Sequence, residues 1–192
     1  VAILYRSNAQ SRVLEEAILR DSLPYKIYGG LRFYERAEIK NAMSYLRLIY
    51  GREDDAAFER VINIPPRGIG AKTIDVIRAK ASEKGLSLWK ACEDLLENDL
   101  LPARAAQAIQ GFMSSFNSLE EDTRDLNLRE IVDMTIQRSG LIEYHKKEAG
   151  EKGRTRVENL SELIGAARDF EPDSLDDLEE TALKLFIDHA AL

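Results

Sequence analysis

Between two runs of helical periodicity stands Pro65-Pro66-Arg67-Gly68-Ile69-Gly70, with Lys72 close behind. These residue types at this spacing suit the capture of an anion. Proline has a fixed φ and no backbone N–H, so Pro65 and Pro66 end the preceding helix and stiffen the turn. Gly68 and Gly70 carry no Cβ, which lets a phosphate come close to the backbone. Ile69 between them can point inward as an anchor. The amides from Gly70 into the next helix would then face outward at the positive end of a helix dipole. Arg67 and Lys72 flank the turn and add charge. This is the logic of a helix–hairpin–helix element, which grips a phosphate backbone without reading bases. A plain helix–helix turn punctuated by glycine accounts for the same residues. The residues alone leave both readings open.

Two further stretches carry suitable chemistry. Tyr5–Arg12, YRSNAQSR, sits where a strand is expected to end and a helix to begin. Ligands of open α/β sheets gather at that end of a strand. Arg6 and Asn8 supply a cation and a two-way hydrogen-bonder for a nucleic-acid backbone, with Gln10 and Arg12 in support. The same Asn8 also serves as a plain helix cap. Ile27–Lys40, IYGGLRFYERAEIK, places a double glycine before mixed aromatic and basic residues. Arg32, Phe33, Tyr34 and Arg36 suit stacking on bases or gripping phosphates. A hinge at Gly29 and Gly30 whose aromatics pack inward is the alternative.

Other chemistries find no footing. The chain has no Gly-x-x-x-x-Gly-Lys-Ser/Thr stretch, so no phosphate loop for ATP is expected. Cys92 is the only cysteine, and His145 and His189 fall in no ligand pattern. No disulfide, metal site or nucleophile–histidine–acid set is expected, and the chain alone is expected to be inactive as an enzyme.

These residues must be positioned by the surrounding elements. Val1–Tyr5 suits a buried strand, a helix follows through Val13, Leu14, Ala17 and Ile18, and Tyr25–Tyr28 suits a second strand. Strand, helix, strand predicts a parallel βαβ unit whose remaining sheet lies elsewhere. Thereafter the pattern is helical only. Helices are predicted near 39–49, 56–62, 74–81, 88–96, 102–119, 128–138, 141–147 and 157–167, with a last one from about Leu178. Ser87 is the expected N-cap of one, and Gly140 the expected terminator of another. Trp89 is expected in the core, and Glu151–Arg156 in a small solvated basic loop. The expected fold class is therefore mainly α, a helical body preceded by a βαβ fragment.

Charge is uneven. Residues 1–90 hold 16 Lys+Arg against 11 Asp+Glu, whereas residues 91–192 hold 11 against 23. A basic first half can face nucleic acid while an acidic second half faces solvent or a protein partner, within a total of −7. No apolar run is long enough to span a bilayer and no signal peptide opens the chain, so a cytoplasmic protein is expected. The apolar start VAILY and the uncapped end FIDHAAL suggest a fragment of a longer protein.

Five blocks in order carry a resemblance that covers essentially the whole chain: AILYRSNAQSRVLEEAI, YKIYGGLRFYERAEIKNAMSYLRLI, INIPPRGIG, TRVENLSELI and LFIDHAAL. Together they resemble the middle of the bacterial UvrD/PcrA/Rep family of superfamily 1 DNA helicases. The resemblance implies an ATP-dependent enzyme that moves 3′ to 5′ along single-stranded DNA and unwinds duplex in replication, nucleotide excision repair and mismatch repair. It places residues 1–32 in the RecA-like motor domain 2A and residues 33–192 in the helical subdomain 2B. Arg6 and Asn8, supported by Arg12, then match a single-stranded DNA contact. Gly68, Ile69 and Gly70, flanked by Arg67 and Lys72, match the part of 2B that meets duplex DNA. Gly29 and Gly30 fall at the hinge about which 2B rotates. ATP and Mg2+ are implied for the longer parent only, since its nucleotide motifs lie outside this sequence. The implied partners are single-stranded and duplex DNA, the other helicase domains and repair proteins. The rival reading is a protein-interaction or autoinhibitory module that docks repair partners or the motor domains.

Overall fold

The computed structural model describes residues 2–5, 10–25, 32–170 and 181–191. Among these residues the regular structure is ten α-helices and one 3-10 turn, so the chain is mainly α. Helix α1 is Ser11–Arg20, and the 3-10 turn Phe33–Glu35 leads into α2, Ala37–Tyr50. There follow α3 (Asp55–Val61), α4 (Ala71–Lys84), α5 (Leu88–Glu97), α6 (Ala103–Thr123) and α7 (Leu128–Arg138). Helices α8 (Leu141–Lys146), α9 (Glu151–Asp169) and α10 (Ala182–His189) complete the body.

Helix α2 is the axis of this body. Ile39, Ala42, Met43, Tyr45, Leu46 and Leu48 are all buried, which leaves it little solvent face. It packs against α3, α6, α7, α9 and α10, while α4 pairs with α5 and α8 with α9. Beside it Phe58, Trp89, Phe112 and Phe116 interlock edge-on, and Tyr45 stacks on Phe116 at 5.2 Å between ring centres. Such aromatic pairs add about 0.5–1.5 kcal/mol each beyond area burial. Arg52 lies over the Trp89 ring at 4.6 Å and caps the cluster. Trp89 is thus a core residue, as expected from its spacing.

Local signals hold at several ends. Ser87 Oγ accepts from the Lys90 amide at 3.3 Å and opens α5. Gly140 takes a left-handed conformation, φ +79°, directly after α7. Two expectations change. The βαβ fragment does not form among the described residues: Ala2–Tyr5 make no strand, and Tyr25–Tyr28 lies mostly outside those residues. A strand exists through ladder bonds to a neighbour, and no described segment supplies one. The supposed basic loop Glu151–Arg156 is the first part of α9, which begins well before Val157.

Candidate nucleic-acid interface

The Pro65–Lys72 turn joins α3 to α4. Asp54 caps α3, its carboxylate accepting from the Ala57 amide at 2.9 Å. After Val61 the chain turns out of the helix, and Gly68 adopts φ +76°, a region in which side chains are strained. Ile69 is buried to 1% exposure and pins the turn to the core, as its position between two glycines suggested. Gly70 is the N-cap of α4 with extended backbone, φ −79° and ψ 166°, and no side chain caps this end.

Three of the five duplex candidates, Gly68, Gly70 and Lys72, are therefore exposed close together, with Ile69 buried between the two glycines. No described carbonyl accepts from the N–H groups of Gly68, Ile69, Gly70, Ala71 or Lys72. The first-turn amides of a helix have no partner within it, and here the exposed residues Gly68, Gly70, Ala71 and Lys72 carry main-chain donors with no described acceptor. Lys72 is exposed and makes no ion pair among the described residues. Nothing lies within 4 Å of a Cβ built on Gly68 or Gly70.

Arg67 stands apart. Its guanidinium turns inward beneath the turn, where Nη1 donates to the carbonyls of Val61 at 2.9 Å and Pro65 at 3.1 Å. Nη2 donates to the Tyr45 hydroxyl. The Arg67 amide donates to Asn63 Oδ1 at 2.7 Å, and Tyr45 in turn donates to the Ile64 carbonyl at 2.7 Å. Burial pushes the Tyr45 phenol above its usual pKa, so it stays a neutral donor. Tyr45 and Asn63 were not among the sequence candidates. The Asn63-to-Arg67 spacing of an asparagine folded onto its own turn was a readable signal for the second. Nothing local pointed to Tyr45, which lies on another helix.

Of the single-stranded DNA candidates, only Arg12 is among the described residues. Arg6 and Asn8 fall outside the described residues, as do the hinge candidates Gly29 and Gly30. Arg12 is only 4% exposed, held by Glu16 at 2.8 Å, Glu162 at 3.4 Å and Asp169 at 3.5 Å. It fastens α1 to α9. Arg36 is buried in the same seam, its Nη2 donating to Ser11 Oγ at 2.5 Å and Nη1 to Asn159 Oδ1 at 3.0 Å. Phe33 is buried and Tyr34 packs on the core, so these aromatics face inward. Arg32 remains exposed, 5.4 Å from the Tyr25 ring centre.

Helix α1 presents its sides in an unusual sense. Ser11, Arg12 and Glu15 are buried against the helical body, while apolar Val13 and Leu19 are more than half exposed. Ile3, Leu4 and Leu23 are exposed as well.

Comparison with known proteins gives these features a context. The model of the UvrD-like helicase C-terminal domain matches residues 1–192. DNA helicase II of Escherichia coli (strain K12) is 54% identical over 191 residues, covering 100% of this chain and 26% of the relative. DNA helicase II of Haemophilus influenzae is 50% identical over 192 residues, with the same 100% and 26% coverage. The ATP-dependent DNA helicase PcrA of Staphylococcus aureus (strain COL) is 37% identical over 194 residues, again across 100% of this chain and 26% of the relative. The chain thus spans 26% of the length of these relatives. With a match running from its first residue to its last, the chain belongs to the UvrD-like helicase C-terminal domain family.

Proposed function

We propose that this chain is the DNA-engaging and regulatory portion of an ATP-dependent DNA helicase that moves 3′ to 5′ in repair and replication. Residues 1–32 belong to a RecA-like motor domain and reach single-stranded DNA through Arg6 and Asn8, with Arg12 securing α1 to α9. Residues 33–192 form a helical subdomain that holds duplex DNA at the turn of Gly68, Ile69, Gly70 and Lys72, with Arg67 beneath it, and Gly29 and Gly30 provide the hinge between the two. The exposed apolar side of α1 supports this division, because such a side belongs against a core other than that of the helical body.

The observation that carries the duplex reading is Gly70. Its φ of −79° suits any residue, and open space surrounds its missing Cβ. Neither conformation nor packing requires glycine there. Close approach of a ligand does, and the ligand that fits outward amides at a helix N-terminus beside Lys72 is a phosphate. A contact of this kind grips any sequence.

ATP and Mg2+ are assigned in this reading to the rest of the parent, since the sequence holds no Gly-x-x-x-x-Gly-Lys-Ser/Thr stretch.

Fluorescence anisotropy with a labelled duplex carrying a 3′ single-stranded tail tests the reading, in this chain and in the full-length parent. Gly70→Val is expected to weaken duplex binding about tenfold or more, the equivalent of one or two charge-assisted hydrogen bonds. Unchanged affinity in both proteins leaves the turn as a turn only. Failure to bind any duplex, together with firm binding to the motor domains, favours the interaction module instead.

A further inference from the structure

The one cation inside the turn is placed where it cannot serve as a phosphate ligand. Arg67 directs Nη1 at three main-chain carbonyls, those of Val61 at 2.9 Å, Ile62 at 3.3 Å and Pro65 at 3.1 Å. Nη2 is engaged by Tyr45, and Arg67 Cζ lies over the Phe112 ring, 5.1 Å from its centre. Val61 ends α3 and Ile62 is its C-cap, so their carbonyls have no partner within the helix, although that of Val61 also accepts from the Ile64 amide at 3.1 Å. Arg67 therefore caps α3 from outside, with its positive charge at the negative end of that helix. Asn63 takes the Arg67 amide, and Tyr45 ties both Arg67 and the Ile64 carbonyl to the central helix α2. Every one of these bonds fixes the far side of the surface on which the amides of Gly68 to Lys72 are displayed. An Arg67 that swung out to meet a phosphate would take their donor from the Ile62 and Pro65 carbonyls, and would cost the Val61 carbonyl and the Tyr45 hydroxyl one of two partners each.

We infer that Arg67 is a positioning residue: with Tyr45 and Asn63 it preorganises the Gly68–Lys72 amides for a phosphate, and contributes no phosphate contact of its own. This rests on the duplex reading of the turn. Preorganisation raises affinity by removing the ordering cost from the binding step. Two consequences separate it from a charge contact. The fork of the guanidinium, and not its charge, is what the site needs, so lysine is no substitute. And since Arg67 neutralises no phosphate, it adds nothing to the salt dependence of binding.

The variants Arg67→Lys, Tyr45→Phe and Lys72→Gln decide the matter, each titrated with the tailed duplex over a range of salt concentrations. Arg67→Lys and Tyr45→Phe are each expected to weaken binding about fivefold, as for one lost hydrogen bond, with the slope of log affinity against log salt unchanged. Lys72→Gln is expected to reduce that slope by about 0.9. Wild-type affinity in Arg67→Lys, with a slope reduced by about one in Arg67→Met, overturns the inference and restores Arg67 as a charge contact. Amide hydrogen exchange without DNA gives a readout independent of binding. Both Arg67→Lys and Tyr45→Phe are expected to speed exchange at Ile64 and Arg67 while leaving the α6 core amides unchanged. If exchange stays at the wild-type rate in both, Arg67 does not hold the turn, whatever the turn binds. If exchange quickens but the wild type binds no duplex, the positioning role stands and the duplex reading falls.

Discussion

At the scale of single residues, the two turn glycines are present for different reasons, and substitutions separate them. Gly68 is required by conformation, since its φ of +76° is costly for any residue with a Cβ. Gly68→Ala is expected to lower unfolding free energy by about 1–2 kcal/mol in urea denaturation. Gly70 is required by neither conformation nor packing. Gly70→Ala is expected to keep the wild-type urea midpoint within error while weakening duplex affinity. A loss of stability in Gly70→Ala equal to that in Gly68→Ala would show that Gly70 serves the fold. Cys92 is a contrasting case. Burial pushes its thiol up to about 12, so it remains protonated and unreactive at neutral pH and belongs to the packing of α5.

At the scale of elements, the approach of α8 to α9 sets a narrow tolerance. A Cβ built on Gly153 would lie 2.6 Å from the His145 carbonyl oxygen and 2.7 Å from that of Glu148. Both obstacles are backbone, so neither can swing aside. Gly153→Ala is expected to cost about 1–3 kcal/mol in urea denaturation, as overpacking does in a close-packed interior. Val157, further along the same helix, sets the control: Val157→Ala is expected to cost less, because its side chain is only partly buried. Equal costs would mean that the helices separate easily at this point. Gly153 is also the reason that Glu151–Arg156 reads as a loop in sequence. A glycine among polar residues is a breaker signal, yet here it marks a crossing point of two helices inside regular structure.

At the scale of the whole molecule, ion pairs stitch neighbouring elements around the core. Glu59 on α3 is held below the usual carboxylate range by its hydrogen bond from Arg78 on α4. Lys84 on α4 does the same for Asp94 on α5, and Arg138 on α7 for Asp122 on α6. His145 and then Arg156 lower Glu148, while Arg168 and then Arg12 lower Asp169. A carboxylate whose pKa is depressed on folding adds stability above its unfolded value and loses it as pH falls through the folded one. The unfolded values lie near 4, so the urea midpoint is expected to be steady from about pH 8 to 5 and to drop below about pH 4. Each pair is exposed enough to contribute little alone, and added salt should weaken the effect. A midpoint that holds constant to pH 3 would show that these pairs form without stabilising the fold.

The sequence by itself determined the succession of helices and the character of the turn, because both rest on near neighbours. Helical periodicity, the cap at Ser87, the terminator at Gly140 and the inward Ile69 are matters of a few consecutive residues. The proposal of an anion site at Gly68–Lys72 likewise came from residue types alone. Only the tertiary structure decided what the cations do. Arg67 was read as a flanking charge, but Tyr45, 22 residues away on α2, draws it beneath the turn. Arg12 was read as reaching toward DNA, but Glu162, 150 residues away on α9, meets it in a seam between helices. A long flexible side chain has no direction of its own in sequence. Its direction is set by whichever acceptors the fold brings within reach, and burial makes leaving those acceptors unpaired costly. The strands expected at Val1–Tyr5 and Tyr25–Tyr28 mark the same boundary from the other side, since a strand is completed by its neighbour and apolar composition alone does not supply one.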